Sequence, residues 1–132
     1  MTATVKPIPD GYHTVTPYLI VTGAGDLIAF TEAAFGATER SRNAGPDGLI
    51  MHAEVQIGDS VLMLSDASAA FPAMTAMLHL YVEDCDASYR QALAAGAESV
   101  REPADQPYGD RSAGVKDRWG NQWWLATHIK DV

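Results

Sequence analysis

The fold is indicated by a stretch of sequence that occurs twice, as TPYLIV at positions 16–21 and as MLHLYV at positions 77–82. Both copies are rich in aliphatic, aromatic and β-branched residues, which is typical of β-strands. They lie about sixty residues apart, and a period of that size indicates a duplicated structural unit. We therefore expect the elements that follow the first strand to recur after the second.

The segments after the two strands have the same predicted order. Residues 26–35 and 86–95 carry apolar side chains near helical spacing, and each segment opens with an aspartate, Asp26 or Asp86, at the expected N-cap. Both helices are expected to end at a Gly-Ala pair, because glycine readily adopts the left-handed conformation that ends a helix. Each half then gives an extended segment and two strands around a tight turn at Gly58 or Gly120.

The repeat predicts an α+β fold made of two tandem βαβββ half-repeats whose sheets curve into a cup. The first half-repeat is expected at residues 12–67 and the second at residues 77–129, with a linker at 68–76 that is rich in small residues. A chain of 132 residues is long enough to bury a real core, so we expect one domain, 1–132, to contain both halves.

Charge and hydropathy exclude several classes of partner. The chain has 17 acidic residues against 9 Lys plus Arg, giving a formal charge of -8. The cations are scattered, whereas nucleic-acid binding needs a concentrated basic surface. No apolar run approaches the roughly 20 residues that span a bilayer, and the first ten residues do not have the pattern of a signal peptide. We expect a cytoplasmic protein without nucleic-acid or membrane partners.

Alternation along the strands separates a uniformly aliphatic face from a mixed one. Leu19 and Val21 are expected to meet a helix, and the side chains between them to line the cup. The same reasoning places polar and aromatic residues of four strands in the cup. The predicted ligand-contacting side chains are Tyr18, His52, Gln56, His79, Tyr81, Gln122 and Trp124, with Arg111 added from a loop.

Five short motifs together resemble one protein family. They are IMHAE at 50–54, IGD at 57–59, YVED at 81–84, YGDR at 108–111 and DRWGNQWW at 117–124. This set, on a duplicated βαβββ unit, resembles the vicinal oxygen chelate superfamily of glyoxalase I, bleomycin-resistance proteins and extradiol dioxygenases, and within it the PhnB-like branch. The resemblance implies the glyoxalase/bleomycin-resistance fold, a homodimer, and a pocket in which many relatives bind a divalent metal.

The metal positions implied by this resemblance carry unsuitable side chains. They fall on Thr16 and Met77 in the first strands and on Leu62 and Trp124 in the last strands, and none of these is a normal ligand for a hard or borderline divalent ion. No cofactor is therefore expected there. A displaced divalent-metal site made of His52, Glu54 and His79 is the alternative, and a hydrogen-bonded carboxylate and imidazole is the simpler interpretation of His52 and Glu54.

The chemistry of individual residues leaves more than one function open. Glu54 in an apolar cup would have reason to stay protonated near neutral pH and to serve as a general base or acid. Arg111 either clamps an anionic ligand or pairs with Asp110 within its loop. The sequence favours a protein that binds an organic ligand in an aromatic cup, and leaves open a metal-dependent lyase, isomerase or dioxygenase, or a domain that acts through protein partners alone.

Overall fold

Eight strands and two helices make up the fold, as described by a computed structural model that covers residues 4–132. The first half contains β1 (Tyr18–Val21), α1 (Ala24–Phe35), β2 (Thr38–Ala44), β3 (Ile50–Ile57) and β4 (Ser60–Asp66). The second half contains β5 (Met77–Tyr81), α2 (Cys85–Ala94), β6 (Glu98–Asp105), β7 (Asp110–Lys116) and β8 (Gln122–His128). Within the described residues, neither helix is long and apolar enough to cross a bilayer.

Each half forms a four-stranded sheet with the same topology. The strand order is β1-β4-β3-β2 in the first sheet and β5-β8-β7-β6 in the second. In both sheets the first and last strands of the half pair in parallel, β1 with β4 and β5 with β8, and the other neighbours are antiparallel. The predicted α+β fold of two tandem βαβββ half-repeats is therefore confirmed.

One hydrophobic core joins the two halves. Leu19, Val55 and Leu64 of the first sheet share this core with Val115 and Trp123 of the second, and all five side chains are buried. Helices α1 and α2 contact each other and contribute to the same core. Because the core-facing sides of both sheets pack toward the helices, the opposite sides of both sheets face outward. We call the outward side of the first sheet, which carries Tyr18 and Glu54, the first face. The outward side of the second sheet, which carries His79 and Trp124, is the second face.

The start of α1 differs from the sequence prediction. The helix begins at Ala24 after Gly23, so Asp26 lies in the first turn and is not the N-cap. The capping role belongs to Asp66 at the end of β4, whose Oδ1 accepts hydrogen bonds from the backbone N–H groups of Gly23 and Ala24, both at 2.9 Å. A carboxylate supplied by a distant strand satisfies the free N–H groups, and a local sequence signal cannot reveal it.

The N-cap of α2 lies two residues before the cap predicted at Asp86. Asp84 is the N-cap, and its Oδ1 accepts a hydrogen bond from the Ala87 backbone N–H at 3.1 Å. Asp86 lies inside the first turn and pairs with Arg111 of β7. Three acidic residues and a cysteine precede Ala87. Asp84 and Asp86 have the same N-cap propensity, so propensity alone does not identify the cap.

The two outward faces do not close into one cup within a single chain. Among residues 4–132, no strand of one sheet is hydrogen-bonded to a strand of the other, and the sheets meet through the helices and the shared core. A cavity of about 700 Å³ separates β5 from the turn between β3 and β4. Its wall includes the apolar side chains Phe35, Leu62, Leu78 and Leu80. The sequence left open whether the half-repeats pair within one chain or across a dimer, and within one chain their two sheets remain separate.

Candidate functional site

The first face is organised by a cross-strand row of side chains. Glu54 of β3 is paired with Ser41 of β2 and with Met63 of β4, and Met63 is paired with Tyr18 of β1. Residues two positions apart on a strand point to the same side, so His52 lies on the same face as this row. Gln56 also lies on β3 on this side, where its Nε2 donates to the Gly58 carbonyl at 3.1 Å.

A chain of hydrogen bonds holds the polar groups of the first face. The Tyr12 hydroxyl donates to Glu54 Oε1, and His52 Nε2 lies 2.9 Å from Glu54 Oε2. The Tyr18 hydroxyl lies 3.3 Å from His52 Nδ1. The imidazole tautomer that donates from Nε2–H to Glu54 has Nδ1 available to accept a hydrogen bond from the Tyr18 hydroxyl. The sequence reasoning missed Tyr12, which lies before the first strand in a segment without periodicity.

The surroundings of Glu54 lower its pKa and favour the carboxylate form, contrary to the expectation that the group stays protonated. The hydrogen bond from Tyr12 lowers the pKa of Glu54, and the hydrogen bond from His52 acts in the same direction, whereas burial opposes both. The same contact raises the pKa of the Tyr12 hydroxyl, so Tyr12 remains a donor. Glu54 therefore offers a fixed, negatively charged acceptor and not a proton donor near neutral pH.

The second face carries a row that contains the largest aromatic platform of the site. Arg101 of β6 is paired with Gly114 of β7, Gly114 with Trp124 of β8, and Trp124 with His79 of β5. A β-carbon at position 114 would lie only 2.8 Å from the Trp124 ring carbons Cη2 and Cζ3. The absence of that carbon lets the indole lie flat against β7. Its Nε1 donates to Gln122 Oε1 at 3.1 Å.

A second polar network lies at the other end of this face. The Tyr81 hydroxyl donates to Asp110 Oδ2 at 2.9 Å, and His128 Nδ1 lies 2.8 Å from Asp110 Oδ1. The other ring nitrogen of His128 lies 2.7 Å from Asp131 Oδ1. These hydrogen bonds raise the pKa of His128, with Asp110 as the larger cause, and His128 in turn lowers the pKa of Asp110. The contact with Asp110 also raises the pKa of Tyr81.

Arg111 does not lie on the second face, so its predicted role as a ligand contact is corrected. Along β7 its neighbours Asp110 and Ser112 point to the second face, so Arg111 points toward the helices. Its guanidinium binds both oxygens of Asp86 in α2, at 2.7 and 3.1 Å, and Asp105 in β6 at 3.0 Å. The arginine thus ties the second sheet to α2, and its partner is not the adjacent Asp110.

The superfamily metal positions do not offer a suitable donor set. The residue of the first sheet that matches Trp124 is Met63 and not Leu62, because Met63 pairs with Tyr18 as Trp124 pairs with His79. Leu62 is paired with the buried Val55 and faces the core. A thioether and an indole do not fit a hard or borderline divalent ion, and the indole nitrogen already donates to a side chain.

The displaced metal site is only partly assembled within one chain. His52 and Glu54 are adjacent on the first face, but His79 lies on β5 of the other sheet, where its ring is tilted against that of Tyr81 with centroids 5.0 Å apart. Across residues 4–132, no three His, Cys, Asp or Glu side chains are grouped as metal ligands. His52 and Glu54 have the geometry of the hydrogen-bonded pair that was the simpler interpretation.

Large apolar side chains remain exposed on both faces. Tyr18 on the first face is 42% exposed, and Met77 and Tyr81 on the second face are 67% and 68% exposed. Trp124 is half-buried. By contrast, the part of the chain described by the structure has no buried side-chain polar atom without a hydrogen-bond partner. On both faces, therefore, the buried polar side chains are hydrogen-bonded, and aromatic surface remains exposed to solvent.

Comparison with known proteins identifies a family match along most of the chain. A family model described as "Glyoxalase/Bleomycin resistance protein/Dioxygenase superfamily" matches residues 12–125. An uncharacterized protein of Mycobacterium bovis is 34% identical over 129 residues, which cover 89% of this chain and 85% of that protein. An uncharacterized protein of Mycobacterium tuberculosis is also 34% identical, over 89% of this chain and 76% of its own length.

Solved structures share the fold at lower sequence identity. TioX from Micromonospora sp. ML1 superimposes with a TM-score of 0.70 at 23% identity, covering 87% of this chain and 99% of TioX. A PhnB protein from Bacillus cereus gives a TM-score of 0.65 at 18% identity, again covering 87% of this chain and 99% of the other. These likenesses establish the architecture and leave the ligand to be argued from the faces themselves.

Proposed function

This chain belongs to the glyoxalase/bleomycin resistance protein/dioxygenase superfamily, and from that premise we propose that it binds a small, flat organic molecule without a metal at the usual superfamily position. The observation that carries the proposal is the Trp124 indole, which lies flat on the second face over Gly114 and is half-buried. Tyr81 extends the exposed aromatic surface. Aromatic surface with a few oriented polar groups is typical of small-molecule sites.

The polar groups around the aromatic surface supply orientation. Glu54 offers a fixed anionic acceptor on the first face, since Tyr12 and His52 hold it in place. Gln122 is oriented on the second face by its contact with Trp124. Groups held by neighbouring side chains lose little conformational entropy when a ligand binds, which favours affinity. The two faces therefore differ in chemistry while each is arranged before binding.

We also propose that the chain forms a homodimer in which the first face of one copy and the second face of the other enclose the ligand. The support is that both faces point away from the core of their own chain, so neither can cover the other in a single copy. Tyr18, Met77 and Tyr81 would then lose the exposure that they have in one chain. Exposed apolar surface of this kind commonly marks an interface or a ligand groove.

Binding of flat aromatic compounds to two tryptophan variants tests the proposed function. Trp124→Leu removes the platform of the second face, whereas Trp119→Leu alters a tryptophan beside α1 whose Nε1 donates to the Thr22 carbonyl. Calorimetry with a panel of bicyclic aromatic compounds should show binding that Trp124→Leu weakens about tenfold and Trp119→Leu preserves, since a stacked ring contributes about 1–3 kcal/mol by analogy with base stacking. Equal losses in both variants would contradict a site on Trp124.

A metal titration separates this proposal from a metal-dependent lyase, isomerase or dioxygenase of the same superfamily. In the chelated protein, zinc or manganese should produce no stoichiometric heat and no large increase in melting temperature. Stoichiometric binding that is lost in both His52→Ala and His79→Ala would instead support the displaced site with His52, Glu54 and His79. It would overturn the metal-free function.

A further inference from the structure

We propose that Arg101 and Trp124 form an anchor for the carboxylate of a planar aromatic ligand. This inference rests on the proposed function, because it names the class of ligand that the second face selects. The carboxylate would bind the guanidinium of Arg101, and the aromatic ring of the ligand would stack beside it over the indole of Trp124.

The geometry of the row brings these groups together. The guanidinium carbon of Arg101 lies 4.7 Å from the centroid of the Trp124 ring. One face of the indole lies against Gly114, where a β-carbon would clash, so the guanidinium lies over the outward face and leaves the rest of that face for a ligand ring. Arg101 Nη2 also donates to Ser112 Oγ at 2.9 Å. The arginine is thus held over the aromatic platform by its contact with the ring and by one hydrogen bond.

The charge of Arg101 remains available for a ligand. Arg42, Arg111 and Arg118 each pair with a carboxylate, whereas Arg101 has no ion-pair partner within residues 4–132. Ser112 accepts only one of the five N–H donors of its guanidinium. The planar guanidinium matches a carboxylate through two parallel hydrogen bonds. A side chain with unused donors beside an aromatic platform is therefore suited to an aromatic acid.

The surroundings distinguish Arg101 from other charged groups of the two faces. Arg40 stacks similarly on Tyr12, with 5.0 Å to the ring centroid, but its charge acts on the nearby Glu54 carboxylate. Asp110 also lies on the second face, but its carboxylate is bound by Tyr81 and by His128, whose raised pKa favours the cationic form. The carboxylate at the other end of this face is thus paired with a cationic group, and Arg101 sets the charge preference at Trp124.

Three probes of nearly identical shape test the charge preference. The probes are 2-naphthoate, its neutral isostere 2-naphthamide and the cation 2-naphthylmethylammonium, each titrated into the full chain by calorimetry. The affinity for 2-naphthoate should be the highest, by about tenfold or more, because hydrogen bonds to charged groups are stronger than those to neutral groups. Arg101→Gln should bring the affinity for 2-naphthoate down to that for 2-naphthamide. Arg101→Lys should give an intermediate preference, because it keeps the charge and loses the planar fork.

A control variant and the binding of the three probes to each variant distinguish the role of Arg101 from the proposed aromatic site. Arg90→Gln removes an exposed arginine of α2 and should leave the binding of all three probes unchanged. Equal binding of the three probes, lost in Trp124→Leu, would sustain the aromatic site and overturn the role of Arg101. A preference for the carboxylate that persists in Arg101→Gln would overturn that role as well. Absence of binding by every probe would overturn both proposals.

Discussion

Single residues of the two faces are fixed by partners that are far away in the sequence. Glu54 is held by Tyr12, 42 positions earlier, and Tyr81 is held by Asp110, 29 positions later. Trp124 keeps its orientation because residue 114 has no side chain. The predicted residues Tyr18, His52, Glu54, His79, Tyr81, Gln122 and Trp124 do lie on the outward faces, since alternation along a strand is a local property. Their charges and hydrogen-bond partners could be assigned only from the folded chain.

Removing the Tyr12 hydroxyl should raise the pKa of Glu54. Its hydrogen bond is the main cause that lowers this pKa, so Tyr12→Phe weakens the preference for the ionised form. Carbon-detected NMR titration of the Glu54 carboxyl group measures the change. Tyr18→Phe is the matched control, because the Tyr18 hydroxyl contacts His52 and not Glu54. A larger shift in Tyr18→Phe than in Tyr12→Phe would contradict this assignment.

The pair of Asp110 and His128 should make stability depend on pH in a defined window. The raised pKa of His128 gives a contribution that is complete below its unfolded value, about 6.5, and is lost as the pH rises through the folded value. The lowered pKa of Asp110 gives a contribution that is complete above its unfolded value, about 3.8, and is lost as the pH falls through the folded value. His128→Gln should therefore be most destabilising between about pH 4 and 6.5.

Urea unfolding of the wild type and His128→Gln at pH 5.5 and at pH 9 measures this dependence. The difference in unfolding free energy should be larger at pH 5.5. NMR titration of the His128 ring in Asp110→Asn provides the control, since loss of the Asp110 carboxylate should lower the pKa of His128. A destabilisation that is independent of pH, or a histidine pKa unaffected by Asp110→Asn, would refute the coupling.

Helices and turns show where local signals suffice and where they fail. The end of α1 at Gly36 follows the sequence prediction, because that glycine has a φ of 67°, in the left-handed region. The start of α1 does not, because Asp66 binds the backbone there. The DRWGNQWW motif is largely structural. In it, Asp117 accepts hydrogen bonds from the backbone N–H of Asn121 and from the Trp123 indole, which sets the turn before β8.

Two aspartates near helix starts should differ in their effect on stability. Asp84→Ala removes the N-cap of α2 and should lower the free energy of unfolding by about 1 kcal/mol. Asp26→Ala removes a first-turn aspartate whose exposed ion pair with Arg118 contributes little, so its cost should stay within about 0.5 kcal/mol. Urea unfolding measures both variants. A cost for Asp26→Ala equal to that for Asp84→Ala would argue against the observed capping pattern.

At the scale of the whole molecule, the two half-repeats share one core and turn the first and second faces outward. The duplication explains why the same positions of each half line a face, as Met63 matches Trp124 and Tyr18 matches His79. The faces have diverged in chemistry, since Glu54 stands on the first where Gly114 stands on the second. A ligand enclosed between copies would contact an anionic acceptor on one side and the aromatic platform with Arg101 on the other.

Mixed dimers should reveal whether a site is shared between two chains. We expect Tyr18→Ala and Trp124→Leu to weaken binding of 2-naphthoate as separate homodimers of two 14.2 kDa chains. A heterodimer of the two variants contains one site with both faces intact and one with both altered, if each site is built by two chains. Calorimetry of the doubly tagged heterodimer should therefore recover one wild-type site per dimer.

The wild-type mass by light scattering and a heterodimer of two wild-type chains carrying the same tags are the controls. If each site were built by a single chain, every site in the mixed dimer would keep one altered face and no wild-type affinity would return. A monomeric wild-type protein would equally overturn the shared site.

The sequence by itself determined the duplicated βαβββ fold, the division of each strand into two faces, and the aromatic character of the outward ones. These features follow from periodicity and turn chemistry, which act over a few residues. Only the tertiary structure decided that Glu54 is ionised, that Arg111 faces α2, that Asp66 caps α1 and that Arg101 meets Trp124. Each depends on groups brought together across strands or between elements, and the spacing along the chain does not encode such contacts.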